Sequence, residues 1–168
     1  MTNSQALAIK PKTQSVPTGI SDQNRKAMAE KLGVVLSNTY MLYVKTQGVH
    51  WNIVGPSFYG VHKLTEEQYE DLAATIDSLA ERIRALGHIA PASVSVFSEL
   101  SLVADQREAE DGQAMIDQLV ADNEAVAALL REFVAFAEEI EDVYTADLLT
   151  SRIGVHEEAA WMLRSLAA

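Results

Sequence analysis

Apolar residues recur three and four positions apart over four long stretches of the chain, the period of a helix with one buried face. In the first stretch Leu32, Leu36, Thr39, Tyr43, Thr46 and His50 share a face, behind an N-cap at Ser21 or Asp22 and running to about Asn52. Gly55-Pro56-Ser57 then breaks the chain. The second stretch carries Val61, Leu64, Gln68, Leu72, Ile76, Leu79, Ile83 and Leu86 and stops at Gly87, a C-cap signal. The third spans roughly 110–140, with Met115, Leu119, Val126, Leu129, Phe133, Phe136 and Ile140 on its apolar side. The fourth spans roughly 145–166, with Leu149, Ile153, His156, Ala160 and Leu163. Residues 88–108 form a long connection in which Pro91 and a serine-rich, β-branched run argue against a regular helix, although a short one fits around 94–100. Residues 1–20 show no periodicity, hold Pro11, Pro17 and Gly19, and read as a flexible arm ahead of a helical domain over 21–168.

The chain is therefore expected to be all-α. A long link between the second and third of four helices fits a ferritin-like bundle with a crossover better than simple up-and-down topology. The 168 residues suffice for one domain with a real core. They include no cysteine, which excludes disulfides, thiolate metal sites and cysteine nucleophiles. The first twenty residues hold no apolar run of signal-peptide length, and no segment is long and apolar enough to span a bilayer, so the expected location is cytoplasmic. Net charge is −11, unevenly placed: residues 1–31 carry a net of +3, the remainder −14. An acidic body attracts cations and repels nucleic acid, so DNA could be met only through the basic N-terminal segment.

Four side chains stand out as candidate metal ligands: His50, His62, Asp77 and Glu81. His62, Asp77 and Glu81 fall on one helix, where His62 and Asp77 lie roughly 22 Å apart along the axis. No single chain closes that gap. Either the residues are unrelated, or a second copy of the helix runs antiparallel about a two-fold axis near Glu70 and brings its own Asp77 and Glu81 to His62. On a helical projection Tyr69, Glu70, Ala73, Asp77, Ala80 and Glu81 lie on the side of His62, well away from the apolar stripe, and Ala73 and Ala80 leave room for another helix. Imidazole and carboxylate without thiolate suit Fe(II), Zn(II) or Mn(II). Trp51, beside His50, could shield such a site and donate through its indole nitrogen. The plain alternative is two helix-end histidines and a solvated acidic face. Di-iron sites inside one bundle use Glu-x-x-His on two helices; here Gln47, Tyr59, Ala85 and Ile153 stand three before the histidines, so that motif is missing.

The run His50-Trp51-Asn52-Ile53-Val54-Gly55-Pro56, with Phe58 and His62, then Asp77-x-x-x-Glu81-Arg82-Ile83 and Leu86-Gly87, resembles the Dps family of mini-ferritins. Thr145-Ala146-Asp147-Leu148-Leu149 and Trp161-Met162-Leu163 fit as well, so the resemblance covers about residues 22–168. It implies a hollow homododecamer that oxidises Fe(II), preferably with hydrogen peroxide, and stores ferric oxide, protecting the cell from oxidative damage. It implies ferroxidase sites between subunits, each with two iron ions, with zinc a possible substitute. Their ligands would be His50 and His62 of one subunit and Asp77 and Glu81 of its partner. Glu66 and Glu67 match the mineral-nucleation region, although Lys63 departs from the acidic residue often seen beside that histidine.

Glu138, Glu139, Glu141, Asp142 and Asp147 crowd the end of the third helix, against its macrodipole. They read either as a solvated acidic turn or as a pore that draws Fe(II) inward; the family's pore role would fall on Asp142 and Asp147. His88 sits in a loop, and His156 reads as a hydrogen-bonded core histidine. The competing readings are a DNA-compacting stress protein with secondary iron chemistry, and an inactive structural cage. Lys10 and Lys12 on the arm are few cations on an acidic body, so weak or absent DNA binding is expected.

Overall fold

The computed structural model describes residues 10–106 and 111–167. Its helices are α1 (Asp22–Asn52), α2 (Phe58–Ala85), α3 (Val94–Leu100), α4 (Gly112–Glu139) and α5 (Val143–Ala167), with no strand among the described residues. α1 packs against α2, and α4 against α5; the two hairpins meet along α1–α4 and α2–α5, and the short α3 rides on α1 within the crossover. This is the four-helix bundle with a crossover that the periodicity predicts.

Local chemistry sets the ends. Ser21 caps α1, its Oγ accepting from the Asn24 N–H at 3.2 Å, and Asp111 caps α4 through the Ala114 N–H at 3.0 Å. α2 closes with a Schellman turn. Gly87 N–H donates to the Arg84 carbonyl and His88 N–H to that of Ile83, with Gly87 at φ +90°. The same turn closes α4 without glycine: Glu141 takes the left-handed position at φ 60°, and Asp142 N–H reaches the Ala137 carbonyl at 2.8 Å.

Met28, Leu32, Leu79, Leu119, Leu130 and Leu163 are fully enclosed. Each such side chain contributes roughly 1.5–3 kcal/mol relative to exposure. The apolar faces are wider than the sequence stripes. On α2, Thr65 and Thr75 are buried while Leu64 and Ile76 are only half-buried; on α4, Leu130 goes deeper than Leu129. The threonines tolerate this because their hydroxyls donate to the carbonyls four residues back, Val61 and Asp71, at 2.7 and 2.9 Å. A helix flanked by two neighbours buries more than one stripe. Asn38 ties the crossover down, its Oδ1 accepting from the Ser101 hydroxyl and the Leu102 N–H.

Residues 10–20 are non-helical and attached to the helical body. Gln14 N–H donates to the Gly87 carbonyl at 2.8 Å. Buried Arg25 donates to the carbonyls of Ile20 and Leu86 and to Asp22, joining the arm, α1 and the end of α2. Residues 1–9 lie outside the described residues. Among the described residues, no helix is long and apolar enough to cross a membrane.

Candidate metal centre

α1 ends and α2 begins on either side of the Gly55-Pro56 turn, which folds His50 back onto His62. The two imidazoles stack 3.8 Å apart and only 16° from parallel. Their hydrogen bonds are reciprocal: His50 Nδ1 lies 2.8 Å from the His62 carbonyl oxygen, and His62 Nδ1 lies 2.9 Å from that of His50. A carbonyl only accepts, so both Nδ1 atoms must carry hydrogen. In a neutral ring that leaves the lone pair on Nε2. Each ring is thus oriented by the other's backbone carbonyl, with its Nε2 free of that contact. Phe58 stacks on His62 and Tyr69 stands edge-on to His50, with centroids 5.1 and 5.2 Å away. His50 is buried and His62 half-buried.

Asp77 and Glu81 lie exposed farther along α2, one turn apart on one side of it. Among the described residues, no three of His, Asp and Glu converge on a metal position within one chain. The structure therefore brings His50 and His62 together and leaves the two carboxylates apart from them. Glu81 borders a surface depression of about 300 Å³ with Ser78, Arg82, Ala85 and Tyr144. The Trp51 side chain is exposed, and its indole makes no hydrogen bond among the described residues. It borders a different groove, with Met41, Val44 and Met115.

Glu66 and Glu67 point to different neighbours. Glu66 accepts a hydrogen bond from the Lys63 ammonium at 2.6 Å, which holds its carboxyl below the usual range, with a smaller opposing effect of burial. The same contact raises Lys63. Glu67 borders a solvent-open pocket of about 350 Å³ with Asp71, Asn123, Arg152, His156 and Glu158. In that pocket Asp71 is gripped bidentately by Arg152 at 3.1 and 2.6 Å. His156 is the hydrogen-bonded core histidine expected, with Nδ1 2.8 Å from Asn123 Oδ1. Burial, followed by the Arg152 charge, pushes its pKa down to about 4 against a small opposing effect of Asp71.

The acidic turn divides. Asp142 is buried, and both of its oxygens are taken: Oδ1 accepts from Arg82 Nη2 at 2.6 Å and the Thr145 N–H at 3.1 Å, and Oδ2 from the Thr145 hydroxyl at 2.6 Å. It caps α5 and clamps it to α2. Asp147 is exposed. Sequence reasoning missed the capping role, although Asp142-x-x-Thr145 has N-cap spacing. It also missed the reciprocal histidine contacts, for which the signal was two histidines flanking one tight turn.

A ferritin-like domain model matches residues 29–168. A low temperature-induced protein of Nostoc sp. is 39% identical over 149 residues, 88% of this chain and 83% of that one. A protein of Bacillus anthracis named DNA protection during starvation protein 2 is 31% identical over 140 residues, covering 83% of this chain and 96% of its own. The crystal structure of a Dps protein from Vibrio cholerae, described as a member of a broad superfamily of ferritin-like diiron-carboxylate proteins, superposes with a TM-score of 0.84 at 29% identity. The match covers 94% of this chain and 97% of that one. With the bundle, the crossover and the paired histidines in place, these likenesses settle the relationship: the chain belongs to the Dps family of ferritin-like proteins.

Proposed function

We propose that this protein is a ferroxidase and iron store whose catalytic centre forms between two subunits. The observation that carries the reading is the reciprocal His50–His62 pair, with both Nε2 atoms open, at the start of α2, whose exposed Asp77 and Glu81 lie roughly 22 and 28 Å farther along the axis from His62. A two-fold axis near Glu70 would bring the partner's Asp77 and Glu81 to the histidines and create two identical centres per dimer. Fe(II) is the substrate, two ions per centre. Each gives one electron to hydrogen peroxide, which takes both, with two protons, as its O–O bond breaks to two waters. Taking the electrons as a pair limits hydroxyl-radical release. Imidazole and carboxylate donors would also hold Zn(II), which would block the site without turnover.

The assembly consistent with this reading is a hollow dodecamer that stores ferric oxide inside and protects the cell, in the cytoplasm, from iron and peroxide together. Of the two aspartates at the acidic turn, Asp147 is the exposed one that could draw Fe(II) through a pore, since Asp142 is committed to its cap. Glu67 is the better nucleation candidate, because Lys63 neutralises Glu66. Trp51 would serve the centre only through a neighbouring subunit. DNA binding is secondary: Arg25 is buried, Lys31 sits over the rings of Phe133 and Phe136, exposed Lys26 stands 3.9 Å from Glu30, and Lys10 and Lys12 are exposed. A gel shift of plasmid at physiological salt that disappears on deletion of residues 1–20 would reverse that ranking.

Anaerobic Fe(II) loading followed by one addition of peroxide tests the main reading. Two ions oxidised per peroxide in a fast phase is the expected result. The double substitution His50→Gly and His62→Gly should abolish that phase. Unchanged initial kinetics would remove the histidines from the site.

A further inference from the structure

Three tyrosines continue from the histidine pair into the protein, and nothing in the two-electron reaction uses them. His50 meets Tyr69 with ring centroids 5.2 Å apart and planes at 79°. Tyr69 meets Tyr43 at 6.3 Å and 75°, and Tyr43 meets Tyr40 at 6.2 Å and 61°. Phe97 covers the far side of Tyr40 at 4.6 Å and ends the series with a ring that is hard to oxidise. The path leaves α1 at His50, crosses to α2 at Tyr69 and returns to α1 one turn at a time. Tyr40 lies about 15 Å from His50 along the helix axis. All three tyrosines are half-buried, and none of their hydroxyl oxygens is a buried atom lacking a partner. A proton lost from any of them can therefore pass to water. Packing alone would be served as well by phenylalanine. With no cysteine in the chain, tyrosine and tryptophan are its readiest one-electron donors among the aromatic and thiol side chains.

We infer that Tyr69, Tyr43 and Tyr40 form a one-electron relay that completes the reduction of peroxide when a centre holds a single Fe(II). The inference rests on the ferroxidase reading above. One Fe(II) supplies one of the two electrons that hydrogen peroxide needs. Tyr69 supplies the other and loses its phenolic proton. The balance is one Fe(II), one hydrogen peroxide, one tyrosine and one further proton giving one Fe(III), one neutral tyrosyl radical and two waters. The radical then moves by electron transfer from Tyr43 to Tyr69 and from Tyr40 to Tyr43, each donor releasing its own phenolic proton and each acceptor regaining one. The unpaired electron ends away from the iron, inside the protein, instead of leaving as hydroxyl radical. Trp51 makes no ring contact with this series among the described residues, so it is not a member.

The test uses the assembled full-length protein, loaded anaerobically with one Fe(II) per histidine pair, mixed with one equivalent of hydrogen peroxide and freeze-quenched for electron paramagnetic resonance. A tyrosyl signal is expected, and it should narrow in protein made with ring-deuterated tyrosine. Tyr69→Phe should lower the yield severalfold and raise spin-trapped hydroxyl radical. Tyr43→Phe should keep the earliest signal and change its decay. Loading with two Fe(II) should nearly abolish the signal, since both electrons then come from iron. The relay is overturned by fast oxidation at two-iron loading with no tyrosyl signal at one-iron loading, by a signal indifferent to Tyr69→Phe, or by a radical that resides on tryptophan. Absence of fast oxidation at either loading would instead strike the ferroxidase reading.

Discussion

Gln14 and Gly87 are joined main chain to main chain: the Gln14 N–H donates to the Gly87 carbonyl at 2.8 Å, and a Cβ on Gly87 would lie 2.2 Å from the Gln14 carbonyl oxygen. Gly87 is fixed twice, by this approach and by its φ of +90°. Gly87→Ala should cost about 1–2 kcal/mol from the backbone alone, and more from the collision. Thermal unfolding should show the loss, and limited proteolysis should cut residues 10–20 faster than in the wild type. An unaltered cleavage rate would mean that the arm is held elsewhere.

Glu141 does at the end of α4 what Gly87 does at the end of α2, at φ 60° and with an acidic side chain beside the negative end of the helix. Glu141→Gly should raise stability by roughly 0.5–1 kcal/mol, the relief of strain and dipole repulsion exceeding the entropy that glycine adds to the unfolded chain. A lower melting temperature would show that the carboxylate has a partner in the assembly.

His156 gives the stability a pH dependence of known sign. Its folded pKa of about 4 lies below the ordinary 6.5, so the unfolded chain binds the proton more readily. The stabilisation is complete above pH 6.5 and is lost as pH falls through the window down to about 4, in total about 3 kcal/mol. His156→Gln should flatten the melting temperature over that window relative to wild type. Parallel curves for the two proteins would contradict the buried neutral imidazole.

Lys45 and Asp122 form a buried bridge between α1 and α4, at 2.7 Å with side chains 3% and 13% exposed. Asp122→Ala strands the ammonium and should cost about 3–5 kcal/mol, whereas Lys45→Met combined with Asp122→Leu should recover most of it. Denaturant titration of the three proteins decides between a necessary ion pair and a replaceable one.

Long periodic segments were the legible part. All four bundle helices, the short crossover helix and the Gly87 cap follow from spacing and turn chemistry, because α-helix period and breakers are local properties. The buried threonines were not legible: a hydroxyl that bonds to its own helix carries no sign of it in sequence. Nor was the division between Asp142 and Asp147, since it depends on Arg82, sixty residues away, arriving at the first and not the second. The candidate centre was half legible. His50 and His62 were recognisable as ligand types near a turn. That each orients the other through a backbone carbonyl is a consequence of the hairpin's close approach. Spacing places Tyr43 only in a core stripe, because ring contacts between helices leave no periodic trace.

The central claim is that one catalytic centre needs two chains. His62→Ala and Asp77→Ala proteins, each inactive alone, should be dissociated, mixed and reassembled, and peroxide-driven Fe(II) oxidation should be followed by stopped flow. A mixed dimer contains one centre with both histidines and both carboxylates intact, so partial recovery of the fast phase is the predicted result. No recovery in cages shown by mass to contain both subunits would contradict the two-fold arrangement.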